Sequence, residues 1–344
     1  MPALMGGFGY KIYLSKILKS VDSKFNLFTH ISSFSTISKL VENKNQLGPY
    51  LAGLIEGDGT FAVQYPNKNQ AYYSPIISVA FKSADLPLAN YLRSVTNAGT
   101  IPFKSGNFLI WLIKSITEVH KIVNLINGYM RSPKIEALHR TITWLNNYIE
   151  NNKNNKNNSS NYISMGIARS LSYTKLLGLS NAPISSNAWL AGFIDADANF
   201  SITLSKRSSG LIRVTPIFRI ELGYLYTNNN TCSNYLQLLE LIANNFRLKV
   251  YARDKEVKGK LYSAILAMNS SISDTRSVID YLSNFPLLSN KRLDYLSWLT
   301  IVDMKLLGAL NSEVVEKAKI VRQDFNSTRY TFNKDHLERD PLSD

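Results

Sequence analysis

Across 344 residues there is one cysteine, Cys232, and there are four histidines, His30, His120, His139 and His336. A lone thiol excludes an internal disulfide and a cysteine-rich zinc site. The histidines are scattered, without the spacing that gathers ligands on a transition metal. A metal held by this chain is therefore expected to be a hard cation on oxygen ligands. Long apolar runs are also missing. None reaches the roughly 18 residues of a spanning helix, so no membrane span is expected. Acids are scarce beside bases: 25 Asp and Glu face 39 Lys and Arg, for a formal charge of +14. That excess attracts a polyanion, either nucleic acid or an anionic membrane surface.

What is present is the composition of a folded protein, 45% apolar and 19% charged, with enough length for two domains. Residues 1–45 form a basic, serine-rich extension. Three readings of it stay open: a mitochondrial presequence, a poorly ordered extension, or the remnant of an upstream reading frame. The run Asn151 to Ser160 has no apolar residue to bury, and 151–184 is expected to be a flexible Asn/Lys/Ser-rich linker. It separates a first domain at 46–150 from a second at 185–310. A tail, 311–344, starts with helical periodicity and loses it; no function is assigned to it.

An internal repeat supports the division. Leu51-Ala52-Gly53-Leu54-Ile55-Glu56-Gly57-Asp58 matches Leu190-Ala191-Gly192-Phe193-Ile194-Asp195-Ala196-Asp197; Pro75 to Phe81 matches Pro216 to Leu222; Asn127 to Lys134 matches Asn284 to Lys291. Each unit reads helix, two strands, helix, two strands, helix and a further helix. The first motif helix is expected to start near Gly48-Pro49, with proline in the first turn. In the second, Ser185 or Ser186 is expected to cap the helix that carries Trp189. In the second unit the strands alternate: Phe200, Ile202 and Leu204 oppose Ser201, Thr203, Ser205 and Arg207. Val214, Phe218, Ile220 and Leu222 oppose Arg213, Thr215, Arg219 and Glu221. Leu248, Val250 and Ala252 oppose Arg247, Lys249, Tyr251 and Arg253. Such a sheet keeps one face for helices and leaves a basic outer face, either simply solvated or fitted to a DNA major groove, which admits β-structure. The first unit shows the pattern more weakly.

Gly53 and Gly57 share one helix face, as do Gly192 and Ala196, so the two motif helices can pack backbone to backbone. Asp58 and Asp197 then end both helices at the negative pole of the dipole. Carboxylates about 5 Å apart repel by roughly 3 kcal/mol at an effective dielectric near 20. A bound divalent cation turns that repulsion into coordination. The competing explanation is a plain Asp58-Gly59 turn.

Leu51 to Gly59 (LAGLIEGDG) and Leu190 to Ala198 (LAGFIDADA) resemble the signature of the LAGLIDADG homing endonuclease family, in its two-motif, single-chain form. The likeness covers about residues 46–307. It implies an α+β fold of two pseudo-symmetric αββαββα domains, each with a four-stranded antiparallel sheet, packed through the paired motif helices. It implies Mg²⁺ or Mn²⁺ on Asp58 and Asp197, with the carbonyls of Gly57 and Ala196 as further ligands. Lys134 and Lys291 fall where the family stabilises the transition state, and Ser78 and Arg219 where it places a polar group on active-site water. The implied activity is site-specific cleavage of double-stranded DNA across the minor groove, leaving short 3′ overhangs. Its partner would be a long, asymmetric duplex site met by a monomer. DNA contacts are expected from Gln64, Ser78, Lys82 and Lys104 in the first half. In the second they are expected from Ser201, Thr203, Arg207, Arg213, Thr215, Arg219, Glu221, Arg247, Lys249, Tyr251 and Arg253. The alternative is an RNA maturase acting on a group I intron, and a third reading is a non-catalytic DNA-binding module. The abundance of Asn and Lys points to an AT-rich organellar genome, hence a mitochondrial location. Two departures stand out. Glu56 replaces the usual Asp and is expected to be tolerated, being no metal ligand. Ala198 replaces the usual Gly; if that position needs positive φ, alanine costs roughly 1–2 kcal/mol and distorts the second site.

Overall fold

The first motif helix, α1 (Leu47–Asp58), is apolar almost all round: everything from Gly48 to Glu56 is buried. A helix of that kind belongs inside a protein, and it runs through the middle of this one. The computed structural model describes residues 46–63, 73–102, 107–153, 162–223, 225–227, 232–257, 260–269, 271–325, 335–338 and 342. The expectations for residues 1–45, for Gln64 and Lys104 and for most of the 151–160 run fall outside them. Residues Asn45–Ser343 cluster as one unit, and no helix among the described residues is long and apolar enough to cross a membrane.

After α1 the first half continues with β1 (Gly59–Ala62), β2 (Ile76–Lys82), α2 (Leu86–Thr96), β3 (Phe108–Ile113), α3 (Ile116–Ile126) and α4 (Ile135–Lys153). The strands form an antiparallel sheet in the order β1-β2-β3. Among the described residues, the expected fourth strand is represented by a bridge between Thr100 and Leu112. Gly99 at φ +78 turns the chain there, and residues 103–106 lie outside the described set. A helix α5 (Tyr162–Ser170) and an extended segment then lead into the second half. Half one fastens that segment through its side chains: His120 Nε2 meets Ser172 O at 2.7 Å, Asn127 donates to Lys175 O at 2.8 Å, and His139 Nε2 meets Leu177 O at 2.7 Å. The latter part of the expected flexible linker is thus bound, because α3 and α4 carry polar groups opposite its backbone.

The second half repeats the order with longer strands: α6 (Trp189–Asp197), β4 (Ala198–Lys206), β5 (Ile212–Gly223), a small hairpin of β6 (Leu225–Thr227) and β7 (Cys232–Asn234), α7 (Leu236–Phe246), β8 (Lys249–Val257), β9 (Lys260–Met268), α8 (Thr275–Asn284) and α9 (Lys291–Leu306). Its four-stranded antiparallel sheet runs β4-β5-β9-β8. Within the tail, α10 (Asn311–Val321) buries Val314, Val315 and Ala318, and Leu337 and Leu342 join the same core.

The start of α6 corrects one expectation. Ser185 and Ser186 lie in a 3₁₀ turn, and neither caps the helix. The helix start is buried between the halves, so its N–H groups are met by neighbours: Gln46 Oε1 accepts from Ala188, Asn187 Oδ1 from Trp189 and Tyr281 Oη from Ala191. Arg247 corrects another. It is the left-handed cap of α7 at φ 53 rather than a sheet-face residue, and β8 starts at Lys249. Its counterpart in half one is Asn97, φ 45, a residue that tolerates this region better than arginine does. Arg247→Gly should therefore raise stability by roughly 0.5–1 kcal/mol. An unchanged or lower urea midpoint would show that the arginine is not strained.

Candidate active site at the paired helix ends

The two motif helices cross at their glycines. A Cβ on Gly53 would sit 1.9 Å from Trp189 O, and one on Gly192 would sit 2.0 Å from Tyr50 O. Backbone meets backbone, and the contact is reciprocal. One turn later a Cβ on Gly57 would lie 3.0 Å from Asp197 Oδ2. The carboxylate of one helix thus rests against the end of the other. Burial and then the charge of Asp58 push the Asp197 carboxyl from its ordinary 3.8 up to about 6. Asp58 is solvent-exposed by comparison; partial desolvation raises its carboxyl, against the pull of Lys291, Lys134 and Lys82.

Gly59 and Ala198 follow these acids with nearly the same backbone, φ −91, ψ 159 and φ −87, ψ 163. Both are extended, so no positive φ is required, and the expected distortion at Ala198 is absent.

Lys134 and Lys291 converge on the helix ends. Lys134 Nζ donates to the carbonyls of Ile55 at 3.1 Å, Gly57 at 3.2 Å and Gly59 at 2.8 Å. Lys291 Nζ donates to those of Ile194 at 2.9 Å and Ala196 at 3.0 Å. Ammonium groups at the C-terminal pole of a helix are favourable. Desolvation lowers the affinity of both lysines for their proton, and the neighbouring acids oppose that. Gly57 and Ala196 are thus already engaged, through one lone pair of each carbonyl oxygen.

The sixth-position acids turn away from this cluster. Glu56 Oε1 accepts from the backbone N–H of Arg131 and of Ser132, and Oε2 from Trp189 Nε1 at 2.6 Å. Asp195 accepts from Leu288 N and Ser289 Oγ, and from Tyr50 Oη at 2.7 Å. Both acids are buried. Each holds the loop that precedes its own half's lysine. Sequence reasoning missed Tyr50, Trp189, Ser132 and Ser289. Their signal was the repeat itself, which pairs 50 with 189 and 132 with 289.

The two sides are not copies. A cavity of about 250 Å³ opens beside Asp58, walled by Ala80, Lys82, Asp85, Asn199, Asn290 and Lys291 among others. Asp85 accepts from Asn290 N across the halves, and burial above all lifts its carboxyl to about 6. Just before α7, the Tyr235 phenol is raised by burial first, then by Tyr226 and by the charges of Glu56 and Asp197. Neither residue was expected.

Lys82, Arg213, Lys249 and Tyr251 are exposed and Ser78, Ser201 and Thr215 half-buried on their strands; Ala252, expected on the buried face of β8, is exposed as well; Thr203 is exposed on β4 and Arg207 just beyond it. On β5, Glu221 takes two hydrogen bonds from Arg253 at 2.6 and 2.7 Å and lies 3.7 Å from Arg219. One acid therefore restrains two arginines on this face. Among the described residues, the outer face of the first sheet has one cation, Lys82.

All donors at the helix ends are oxygens: two carboxylates and two carbonyls. Among the described residues no cluster of three or more His, Cys, Asp or Glu could hold a metal alone. Such a set fits a hard cation whose remaining ligands come from water or from a bound phosphate.

The chain is thus a duplicated α+β protein with acids and lysines of both halves gathered where the two repeat helices meet. The chain belongs to the LAGLIDADG endonuclease family, whose model matches residues 51–145 and 190–302. It is 35% identical to the intron-encoded DNA endonuclease aI3 of Saccharomyces cerevisiae, over 98% of this chain and 81% of that protein. It is 22% identical to the intron-encoded RNA maturase bI4 of the same yeast, over 62% of this chain and 29% of that protein. Its fold is similar to that of the LAGLIDADG homing endonuclease I-GzeII in complex with its DNA target, at TM-score 0.60 and 15% identity, covering 83% of this chain and 100% of that one.

Proposed function

We propose that this protein is a site-specific endonuclease that cuts both strands of duplex DNA across the minor groove, using a hard divalent cation, Mg²⁺ or Mn²⁺, and leaving short 3′ overhangs. The observation that carries the reading is the placement of Asp197 against Gly57 and beside Asp58, inside a ring of two lysines. Nothing in folding rewards such a pair of acids. Asp58 and Asp197 would hold the cation, with the second lone pairs of the Gly57 and Ala196 carbonyls as further donors. When bound, the cation supplies a nucleophilic water at neutral pH and offsets charge on the leaving oxygen. Lys134 and Lys291 place positive charge beside the phosphate. Lys134 spends three N–H donors on carbonyls and Lys291 two, so Lys291 keeps one for a phosphate oxygen. The outer sheet faces provide groove contacts from Ser78, Lys82, Ser201, Thr203, Arg207, Arg213, Thr215, Arg219, Glu221, Lys249, Tyr251 and Arg253. Two halves of unlike sequence in one chain suit a long, asymmetric site bound by a monomer. The intron-encoded relative supports an intron-borne, mitochondrial origin.

The direct test is incubation with randomised duplexes and with the intron-less host locus, with and without Mg²⁺. Cation-dependent double-strand breaks at one locus are expected; tight binding with no cut in any duplex would reject the nuclease. The maturase relative supports the alternative, assistance to splicing of a group I intron, and accumulation of unspliced precursor in cells lacking the protein would establish it.

Glu221 gives a prediction about binding. Glu221→Gln releases Arg253 and Arg219 toward phosphates. Affinity for non-specific duplex should rise roughly threefold to tenfold at low salt, and the plot of log affinity against log salt should steepen by about one. An unchanged slope would remove Arg253 from the interface.

A further inference from the structure

The motif helices exchange one hydrogen bond in each direction. Tyr50, just before the first motif, donates to Asp195 of the second half; Trp189, just before the second motif, donates to Glu56 of the first. Each acid then holds a loop of its own half. Asp195 takes Leu288 N and Ser289 Oγ, and Ser289 Oγ accepts from Lys291 N at 3.1 Å. Glu56 takes Arg131 N and Ser132 N, and Ser132 Oγ accepts from Lys134 N at 3.3 Å. One chain of contacts runs from Tyr50 through Asp195 and Ser289 to Lys291. The other runs from Trp189 through Glu56 and Ser132 to Lys134. Tyr50, Trp189, Glu56, Asp195, Ser132 and Ser289 are all buried.

We propose that Tyr50 and Trp189 are positioning residues that act crosswise, each half of the molecule setting the active-site lysine of the other. Water does not readily replace a donor lost from a buried carboxylate, so a missing bond leaves the acid free to turn. The loop it holds turns with it. Lys291 Nζ must stay within hydrogen-bond reach of the Ala196 carbonyl, and a displacement of about 1 Å at a reacting centre costs roughly a hundredfold in rate. Trp189 has a second hold on the same loop, because the Arg131 guanidinium lies 5.5 Å over its ring. Neither half can then present a set lysine without the other in place, which ties the cutting of one strand to the integrity of the opposite half.

The proposal rests on the nuclease reading, and the test keeps the two apart. Lys134→Met and Lys291→Met, assayed on duplex labelled separately on each strand in Mg²⁺, establish which strand each lysine serves; no cleavage of either strand by the wild type would count against the nuclease reading alone, and equal effects of each lysine variant on both strands would overturn the crosswise proposal. Tyr50→Phe deletes one oxygen and fills the same space. It should slow the strand served by Lys291 roughly tenfold to a hundredfold and leave the other within about threefold. Trp189→Phe, or Glu56→Gln where the smaller ring fails to pack, should show the opposite bias. Hydrogen exchange on the DNA-free protein needs no cleavage. In Tyr50→Phe the Leu288 amide should exchange at least about tenfold faster while the Arg131 and Ser132 amides keep their rates. Equal slowing of both strands by Tyr50→Phe, or a Leu288 amide as protected as in the wild type, would overturn crosswise positioning.

Discussion

Asp197→Asn will cut the rate of strand cleavage at least about a thousandfold and will make the protein harder to unfold. The first effect follows from the donor set, since each half offers one carboxylate and an amide oxygen is a poor replacement for it. The second follows from what the charge costs. The Asp197 carboxyl is raised to about 6 by burial and by Asp58. Its proton is therefore held more tightly in the folded state than in the unfolded chain. The stabilisation that comes with that proton is complete below about pH 4 and lost as pH rises through about 6. At neutral pH the ionised group costs roughly 1–3 kcal/mol, and the amide removes that cost. The gain in melting temperature should be largest above pH 7 and should vanish near pH 4. In the wild type, cleavage at limiting cation should fall as pH drops below about 6, because protons and cations compete for this carboxylate. Duplex binding should survive the substitution. A variant that still cuts both strands, or one that melts earlier at pH 7, would remove Asp197 from the role given to it here.

Much of this site was legible in the sequence, for a definite reason. Repeats report equivalence, and equivalence picked out the motif helices and the two acids; alternation picked out the polar strand faces, and the family resemblance pointed to the two lysines. What repeats do not report is direction. Glu56 read as a tolerated replacement for the usual Asp, which Asp195 keeps. Their function depends on bonds to Trp189 and Tyr50, more than a hundred residues away in the chain. Asp85 and Tyr235 were invisible because they are not equivalent chemically, and only the packing brings each beside the other half. Of the fourth strand of the first sheet, the described residues hold one bridge, at Thr100 just after Gly99 at φ +78, and residues 103–106 beside it lie outside the described set. The strain assigned to Ala198 came from residue type alone, and an extended backbone at φ −87 cancels it.

The largest loss of stability from a single methyl group is expected at the helix crossing. Gly53→Ala puts a Cβ 1.9 Å from Trp189 O and 2.8 Å from Phe193 N. Both are helix backbone, which cannot rotate aside as a side chain can. Relief comes only by moving α1 and α6 apart, and that loosens the buried core on both sides together with the Tyr50–Asp195 and Trp189–Glu56 bonds. Overpacking usually costs about 1–3 kcal/mol. With two buried charged hydrogen bonds lost as well, roughly 3–5 kcal/mol is expected, enough to unfold a protein of ordinary stability. Gly192→Ala should match it, since its Cβ falls 2.0 Å from Tyr50 O. The double variant should cost less than the two singles added, because the first already opens the seam that the second would strain. Gly166→Ala on α5 is the control: its Cβ meets nothing within 4 Å, and helix propensity alone should stabilise by about 0.5–1 kcal/mol. Urea unfolding of the wild type and the four variants decides the matter. If Gly53→Ala lost less than about 1 kcal/mol, or if the two singles were simply additive, the helices could not be meeting backbone to backbone, and the approach of Asp197 to Asp58 would lose its cause.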